Sequence, residues 1–227
     1  QFDEPLLPAN LDIADNITIR PKSKSTVDYN LQIPLLKKAE RSLIVVGPME
    51  ENSHQNEIIQ LAEKINAPIL ADPLSQLRFG FESDLILAHY DIFLRHKQII
   101  PDQVIRFGRK PTSKKLCQLL SEWEKNTVLI DLWKEFNDDC PHFIQAPIDE
   151  YCMQQIKAIS WESNSSWIKQ LLSLESIIEK EIQVNNEYHE GNIAKTCLNT
   201  LSEGGCFIIG NSMPIRDVDI FSSTSYI

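Results

Sequence analysis

No stretch of this chain is apolar for the ~20 residues that a membrane-spanning helix needs, and the first residues, QFDEPLLPAN, lack the basic-then-apolar order of a secretory signal. Both absences point to a cytoplasmic protein. The five cysteines (Cys117, Cys140, Cys152, Cys197 and Cys206) are odd in number and contain no CxxC pair. Each sits in an apolar run or beside a helical pattern, the setting of reduced, buried thiols. The five histidines (His54, His89, His96, His142 and His189) show no metal-ligand spacing, and no HExxH run or Cys/His cluster occurs. His142 and His189 read as surface residues. No GxGxxG and no Walker lysine follow a candidate strand, and Gly47 stands alone, so a nucleotide fingerprint is missing. Positive charge is also short, with 22 Lys and Arg against 32 Asp and Glu, a net −10. Nucleic-acid binders select a basic patch, so a nucleic-acid partner is not expected. A local basic pocket for an anionic metabolite is compatible with that balance.

What is present is an ordinary globular composition, 42% hydrophobic and 24% charged, over 227 residues. That length suits one large domain or one and a half ordinary ones. Residues 1–28, with Pro5, Pro8 and Pro21 and no helical period, read as a linker from a preceding domain. Residues 29–185 read as a central α/β domain. Ser42–Gly47 is a continuous apolar run closed by Gly-Pro, the mark of a buried parallel strand. Asn52 or Ser53 can cap a helix whose Ile58, Leu61, Ala62 and Ile65 share one face. Further strands are expected at Pro68–Ala71, near Leu85–Ala88, at Gln103–Phe107 and Thr127–Leu132, with a weaker one at His142–Gln145. A short helix is expected through Phe93–Lys97, and another with Leu116, Leu119, Leu120 and Trp123 on one stripe. Strands alternating with helices imply right-handed crossovers and a doubly wound, mostly parallel sheet with helices on both faces. Asp149–Asn185 reads as a charged helical edge, and Trp123, Trp133, Trp161 and Trp167 as core or edge packing. Residues 186–227 read as the start of a further α/β domain, a helix (Ile193, Ala194, Cys197, Leu198, Leu201) followed by a strand at Cys206–Ile209.

Three stretches carry candidate chemistry. Arg106–Leu116, RFGRKPTSKKL, runs from a strand end through a Gly/Pro loop to a helix start, where unpaired N–H groups and the dipole favour anions. Lys114 and Lys115 in that first turn oppose the dipole at ~0.3–1 kcal/mol per charge. A bound carboxylate or phosphate would reverse that penalty; a solvated basic helix end is the plain alternative. Gly210–Asp219, GNSMPIRDVD, places Ser212 where ligands of parallel sheets collect and Arg216 where it can grip a carboxylate at two points. Equally, Asn211 and Ser212 can cap the next turn while Arg216 pairs with Asp217 or Asp219. Ala71–Arg78, ADPLSQLR, is a strand end with Asp72 as a turn opener, and a direct ligand role there is the less favoured reading.

Taken in order, GNSMPIRDVD, RFGRKPTSKKL, ILADPLSQLR and the opening EPLLP closely resemble segments of the 2-succinyl-5-enolpyruvyl-6-hydroxy-3-cyclohexene-1-carboxylate (SEPHCHC) synthase family. These are thiamine-diphosphate enzymes of menaquinone biosynthesis. The resemblance implies a parent enzyme of three α/β domains, assembled as a homodimer or homotetramer. Thiamine diphosphate and Mg²⁺ there support decarboxylation of 2-oxoglutarate and addition of the resulting carbanion to isochorismate. It also implies that Lys114, Lys115, Ser212 and Arg216 are substrate-binding positions. Lys115 stands where relatives carry arginine, and Asp3 departs from the family's Phe-Arg-Glu-Pro pattern. Neither the family's activating glutamate nor its Gly-Asp-Gly…Asn cofactor run occurs in this sequence, so the chain alone is expected to bind no cofactor and to be inactive. Two other readings stay open: the central domain of another thiamine carboligase, similar to acetohydroxyacid synthase, and a non-catalytic module that binds an anionic metabolite.

Overall fold

The computed structural model describes residues 33–49, 54–185, 187–202 and 204–224. The linker expected at 1–28, and the helix caps Asn52 and Ser53, lie outside the described residues. The chain runs β1 (Ser42–Val46), α1 (Gln55–Ile65), β2 (Ile69–Ala71), β3 (Ile86–Leu87), α2 (Tyr90–His96), β4 (Gln103–Phe107) and α3 (Lys114–Glu122). It continues through β5 (Thr127–Asp131), β6 (Phe143–Gln145), α4 (Ile148–Ala158), α5 (Ser165–Val184), α6 (Glu190–Asn199) and α7 (Met213–Phe221). The six strands form one sheet in the order β3-β2-β1-β4-β5-β6, and every pairing is parallel. The helix with Leu116 on its buried stripe forms as expected, and the charged edge at 149–185 resolves into α4 and α5.

Alternation along the strands builds two cores. Ile44, Val46, Ile69, Ile105 and Phe107 face α1 and α4, packing with Ile58, Leu61, Ile65 and Tyr151. Leu43, Val45, Leu70 and Val104 face α2, α3 and α5, packing with Phe93, Leu116, Trp123, Trp167 and Leu171. A parallel sheet covered on both faces must be apolar at successive positions, which is why β1 reads as an unbroken hydrophobic run. A third, smaller cluster of Ala194, Leu198 and Val218 joins α6 to α7. Gly191 on α6 allows this approach, since a Cβ there would fall 2.2 Å from the Phe221 ring.

Three expectations need correction. Cys206–Ile209 forms no strand; a strand exists only as part of a ladder, and the described residues offer this segment no neighbour to pair with. Cys206, Phe207 and Ile208 are consequently exposed, Ile208 at 91%, while Ile209 packs half-buried against the α6–α7 cluster. Trp133 is not packed but 73% exposed on the loop after β5, because that loop leaves the sheet before any helix covers it. All five cysteines are free, but only Cys140 and Cys152 are buried; Cys117 and Cys197 are half-buried and Cys206 is exposed. Among the described residues no helix is long and apolar enough to cross a membrane.

The strand order reverses between β1 and β4, the switch point where doubly wound sheets usually admit a dinucleotide. Here main chain fills it. The Gly47 amide donates to the Phe107 carbonyl at 2.9 Å and the Arg109 amide to Pro48 at 3.0 Å. A Cβ on Gly47 would lie 1.8 Å from the Arg109 carbonyl oxygen. Gly47 does not have positive φ, so space rather than backbone conformation demands glycine. Gly47→Ala is therefore expected to destabilise the chain by about 1–3 kcal/mol, the usual cost of overpacking, read as a lower urea midpoint at unchanged m-value. An unshifted midpoint would show that the two loops are free to part.

Candidate functional site

Two helix starts carry the residues singled out from sequence. At α3, Ser113 is the N-cap: its hydroxyl oxygen accepts from the Leu116 amide at 3.0 Å and its O–H donates to Asp91 at 2.5 Å. Asp91 in turn accepts from Arg95 at 2.6 Å. One residue earlier, the Thr112 amide donates to Asp72 at 2.6 Å, while the other Asp72 oxygen accepts from the Leu74 amide at 2.8 Å. Asp72 is thus the turn opener that its place before Pro73 announced, and it also holds the β4–α3 loop. Lys114 and Lys115 follow directly, exposed and half-buried respectively. The first turn of α3 contains no acidic residue. Among the described residues no carboxylate pairs with either lysine.

At α7 the backbone is strained. Ser212 has φ 72° and ψ −121°, a region ordinarily left to glycine. Holding a non-glycine residue there costs of the order of 1–3 kcal/mol, and such strain concentrates at functional loops. The Ser212 side chain makes no capping bond, so its hydroxyl is not consumed by the helix end as the capping alternative would have it. Nor does Arg216 pair with Asp217 or Asp219. Asp217 faces Glu190 and His189 instead, and burial together with Glu190 raises its pKa. Asp219 points inward. Arg216 is left exposed.

Asp219 belongs to a buried cluster that sequence reasoning missed. Arg78 is wholly inaccessible, at 0% exposure. Its Nη1 donates to Asp219 Oδ1 at 3.1 Å. Its Nη2 lies 2.7 Å from the Ala88 carbonyl and 2.6 Å from the carbonyls of both Asp219 and Ser222. Tyr90 donates to the same Asp219 oxygen at 2.8 Å. Nearby, Glu175 of α5 accepts from the amides of Ala88 and His89 at 2.7 and 2.9 Å, which satisfies the free donors at the start of α2. Nothing in the local sequence signals the Arg78–Asp219 pair, whose members are 141 positions apart. Within ADPLSQLR, Asp72 and Arg78 are therefore buried ties, both spent on main chain and neighbouring side chains.

No hydrogen bond, ion pair or cavity among the described residues joins Lys114 and Lys115 to Ser212 and Arg216. The two pairs are related through α2, which packs against both α3 and α7. A separate cleft of about 50 Å³ beside Arg106 holds a few waters at most. Its lining sets Arg106 and Lys110 against Glu124, Asp138 and Asp139, and Asp138 already takes Arg106 at 3.0 and 2.5 Å, so it is not an anion site. No group of three or more His, Cys, Asp or Glu among the described residues could hold a metal ion.

Comparison with known proteins identifies the family. A family model described as the middle domain of thiamine pyrophosphate matches residues 22–209. A curated protein of Geobacillus kaustophilus named 2-succinyl-5-enolpyruvyl-6-hydroxy-3-cyclohexene-1-carboxylate synthase is 33% identical over 198 residues, covering 82% of this chain and 34% of its own length. Proteins of the same name from Bacillus pumilus and Bacillus velezensis are 29% and 33% identical, covering 83% and 82% of this chain and 35% and 34% of theirs. The chain spans about a third of the length of the curated relatives it matches.

Burial, opposed by the Arg78 charge and reinforced by Asp72, pushes Asp219 up to about 7 from 3.8. A carboxyl that holds its proton longer in the folded state stabilises fully below the unfolded value, and that contribution is lost as pH rises through the folded one. Between pH 4 and pH 7, the wild type is therefore expected to lose stability relative to Asp219→Asn in urea titrations. Parallel pH profiles for the two would contradict this.

Proposed function

This chain belongs to the family of thiamine pyrophosphate middle domains, and we propose that it serves as the middle domain of a SEPHCHC synthase. In that reading, residues 1–28 lead in from a pyrimidine-binding domain, 29–185 form the middle domain, and 186–227 begin the diphosphate-binding domain. The parent is a cytoplasmic homodimer or homotetramer that decarboxylates 2-oxoglutarate and joins the product to isochorismate, releasing CO2. Thiamine diphosphate, held with Mg²⁺, supplies the carbanion chemistry of such a transferase. The described residues contain no cluster able to hold the metal, so no part in that chemistry is assigned to them. Their part is to bind and orient anionic substrates. By itself the chain is proposed to be inactive.

The observation that carries this reading is the pair of cationic helix starts. Lys114, Lys115 and Arg216 stand in the first turns of α3 and α7, where no acidic residue offsets them. Like charge at the positive end of a helix dipole is unfavourable until an anion arrives. Both substrates bring carboxylates, and the Arg216 guanidinium matches a carboxylate in two-point fashion. Ser212, held in strained backbone with its hydroxyl free, adds a neutral donor beside Arg216. The printed names of the relatives give the product of the synthase, and the substrates and the reaction come from the resemblance over GNSMPIRD. The filled switch point between β1 and β4 weighs against a flavin-dependent carboligase as the parent.

In the full-length synthase, Arg216→Ala and Lys115→Ala are each expected to lose ~1.5–3 kcal/mol of isochorismate binding, more than tenfold in affinity, in a calorimetric titration. Unchanged affinity in both variants would remove the site. Release of CO2 from 2-oxoglutarate by the isolated chain with thiamine diphosphate and Mg²⁺ would overturn its proposed inactivity.

A further inference from the structure

We propose that the Asp72–Arg78 loop is the positioning element of the substrate site, its two ends holding the two cationic helix starts in register with each other. The inference rests on the substrate-binding reading of Lys114, Lys115, Ser212 and Arg216, and it adds residues that touch no substrate.

The loop leaves the end of β2 and is buried at Asp72, Ser75 and Arg78. Its first residue reaches one site segment: Asp72 takes the Thr112 amide, two residues before Lys114. Its last residue reaches the other: Arg78 takes the carbonyls of Asp219 and Ser222 and the Asp219 carboxyl group, all at the end of α7. The carbonyls at a helix C-terminus have no partners within the helix, so a buried guanidinium there fixes both the axis and the end point of α7. Within the loop, Asp72 also accepts the Leu74 amide, and the Ser75 hydroxyl oxygen accepts the Leu77 amide at 3.2 Å. Gln76 holds positive φ, 61°. A loop so internally bonded transmits position rather than flexing. Outside it, Met49 of the β1 loop donates its amide to Leu74 at 3.0 Å, tying the loop to the sealed switch point. Tyr90 on α2, gripping the same Asp219 oxygen, makes the α7 end doubly held.

The geometry has a direct consequence for substrate. Arg216 lies one helical turn from Asp219, so a rotation of α7 about its axis carries the guanidinium away from the carboxylate it would bind. A substrate site that draws on both helix starts needs both held at once, and the Asp72–Arg78 loop is bonded to Thr112 just before α3 and to the end of α7.

The test uses the full-length synthase with Arg78→Met, Arg78→Lys and Asp72→Asn, each alone and combined with Arg216→Ala. Arg78→Met is expected to raise the KM for isochorismate about tenfold or more with a smaller change in kcat, and Arg78→Lys to recover part of the loss. Because Arg78 acts through α7, the double variant Arg78→Met/Arg216→Ala is expected to be no worse in KM than Arg216→Ala alone. Additive losses would overturn the proposal, since a general loss of stability gives additivity and no split between KM and kcat. Hydrogen exchange separates failure of this proposal from failure of the site assignment. In Arg78→Lys, amides of residues 213–222 are expected to exchange faster while those of β1 and β4 keep their protection. Unchanged exchange at 213–222 would overturn the positioning role whatever the kinetics, and an Arg216→Ala variant with normal KM would overturn the site while leaving the exchange result to judge the loop. Should Arg78→Met fail to fold, Arg78→Lys and Asp72→Asn carry the same comparisons.

Discussion

A guanidinium removed from water must find acceptors for its donors, and the placement of α7 follows from how the two Nη groups of Arg78 meet that demand while its Nε stays without a partner among the described residues. Three carbonyls and one carboxyl group surround it, and three of those four acceptors belong to the last turn of α7 or its cap. Removing one partner of a buried pair costs about 3–5 kcal/mol, because the remaining charge is left uncompensated. That cost adds to a small apolar cluster, Ala194, Leu198 and Val218 with Phe79, Leu201 and Ile209 packed against them, in keeping the short helix α7 in one orientation against the sheet. The candidate substrate residues Ser212 and Arg216 ride on that helix.

The same logic of buried, satisfied polar groups recurs at the rim of the sheet. Asp72 spends one oxygen on its own turn and the other on the β4–α3 loop. Ser113 caps α3 and donates to Asp91, while Glu175 closes the start of α2. These groups tie loops rather than fill pockets. They leave the outward-facing cations, Lys114, Lys115 and Arg216, as the unpaired charges on the helix starts. The anionic substrates proposed for the parent enzyme call for such a surface, with positions fixed and charges still uncommitted until substrate binds.

Much of the fold was legible because local pattern carried it. β1, β4 and β5 were each expected within a residue or so of where they lie, since a buried parallel strand reads as a short, mostly apolar run. The stripe Leu116, Leu119, Leu120 placed α3 and hence Lys114 and Lys115 in its first turn. Cys206–Ile209 had the same apolar signature and forms no strand, for the pattern reports a willingness to be buried and not the presence of a partner. Trp133 misled in the opposite way, being a large apolar residue on a loop that nothing covers.

Sequence alone determined the main strands, the apolar helix stripes and the chemical character of the helix starts, because each depends on residues within a few positions of one another. It also carried the family resemblance through GNSMPIRD and RFGRKPTSKKL. Only the tertiary structure decided that Arg216 has no acidic partner among the described residues, that Ser212 sits in glycine-like backbone, and that Asp72 and Arg78 are bound by protein. The placing of Arg78 depends on its meeting Asp219 across 141 positions. Such a pairing is set by the crossing of packed elements and leaves no periodic trace in the chain.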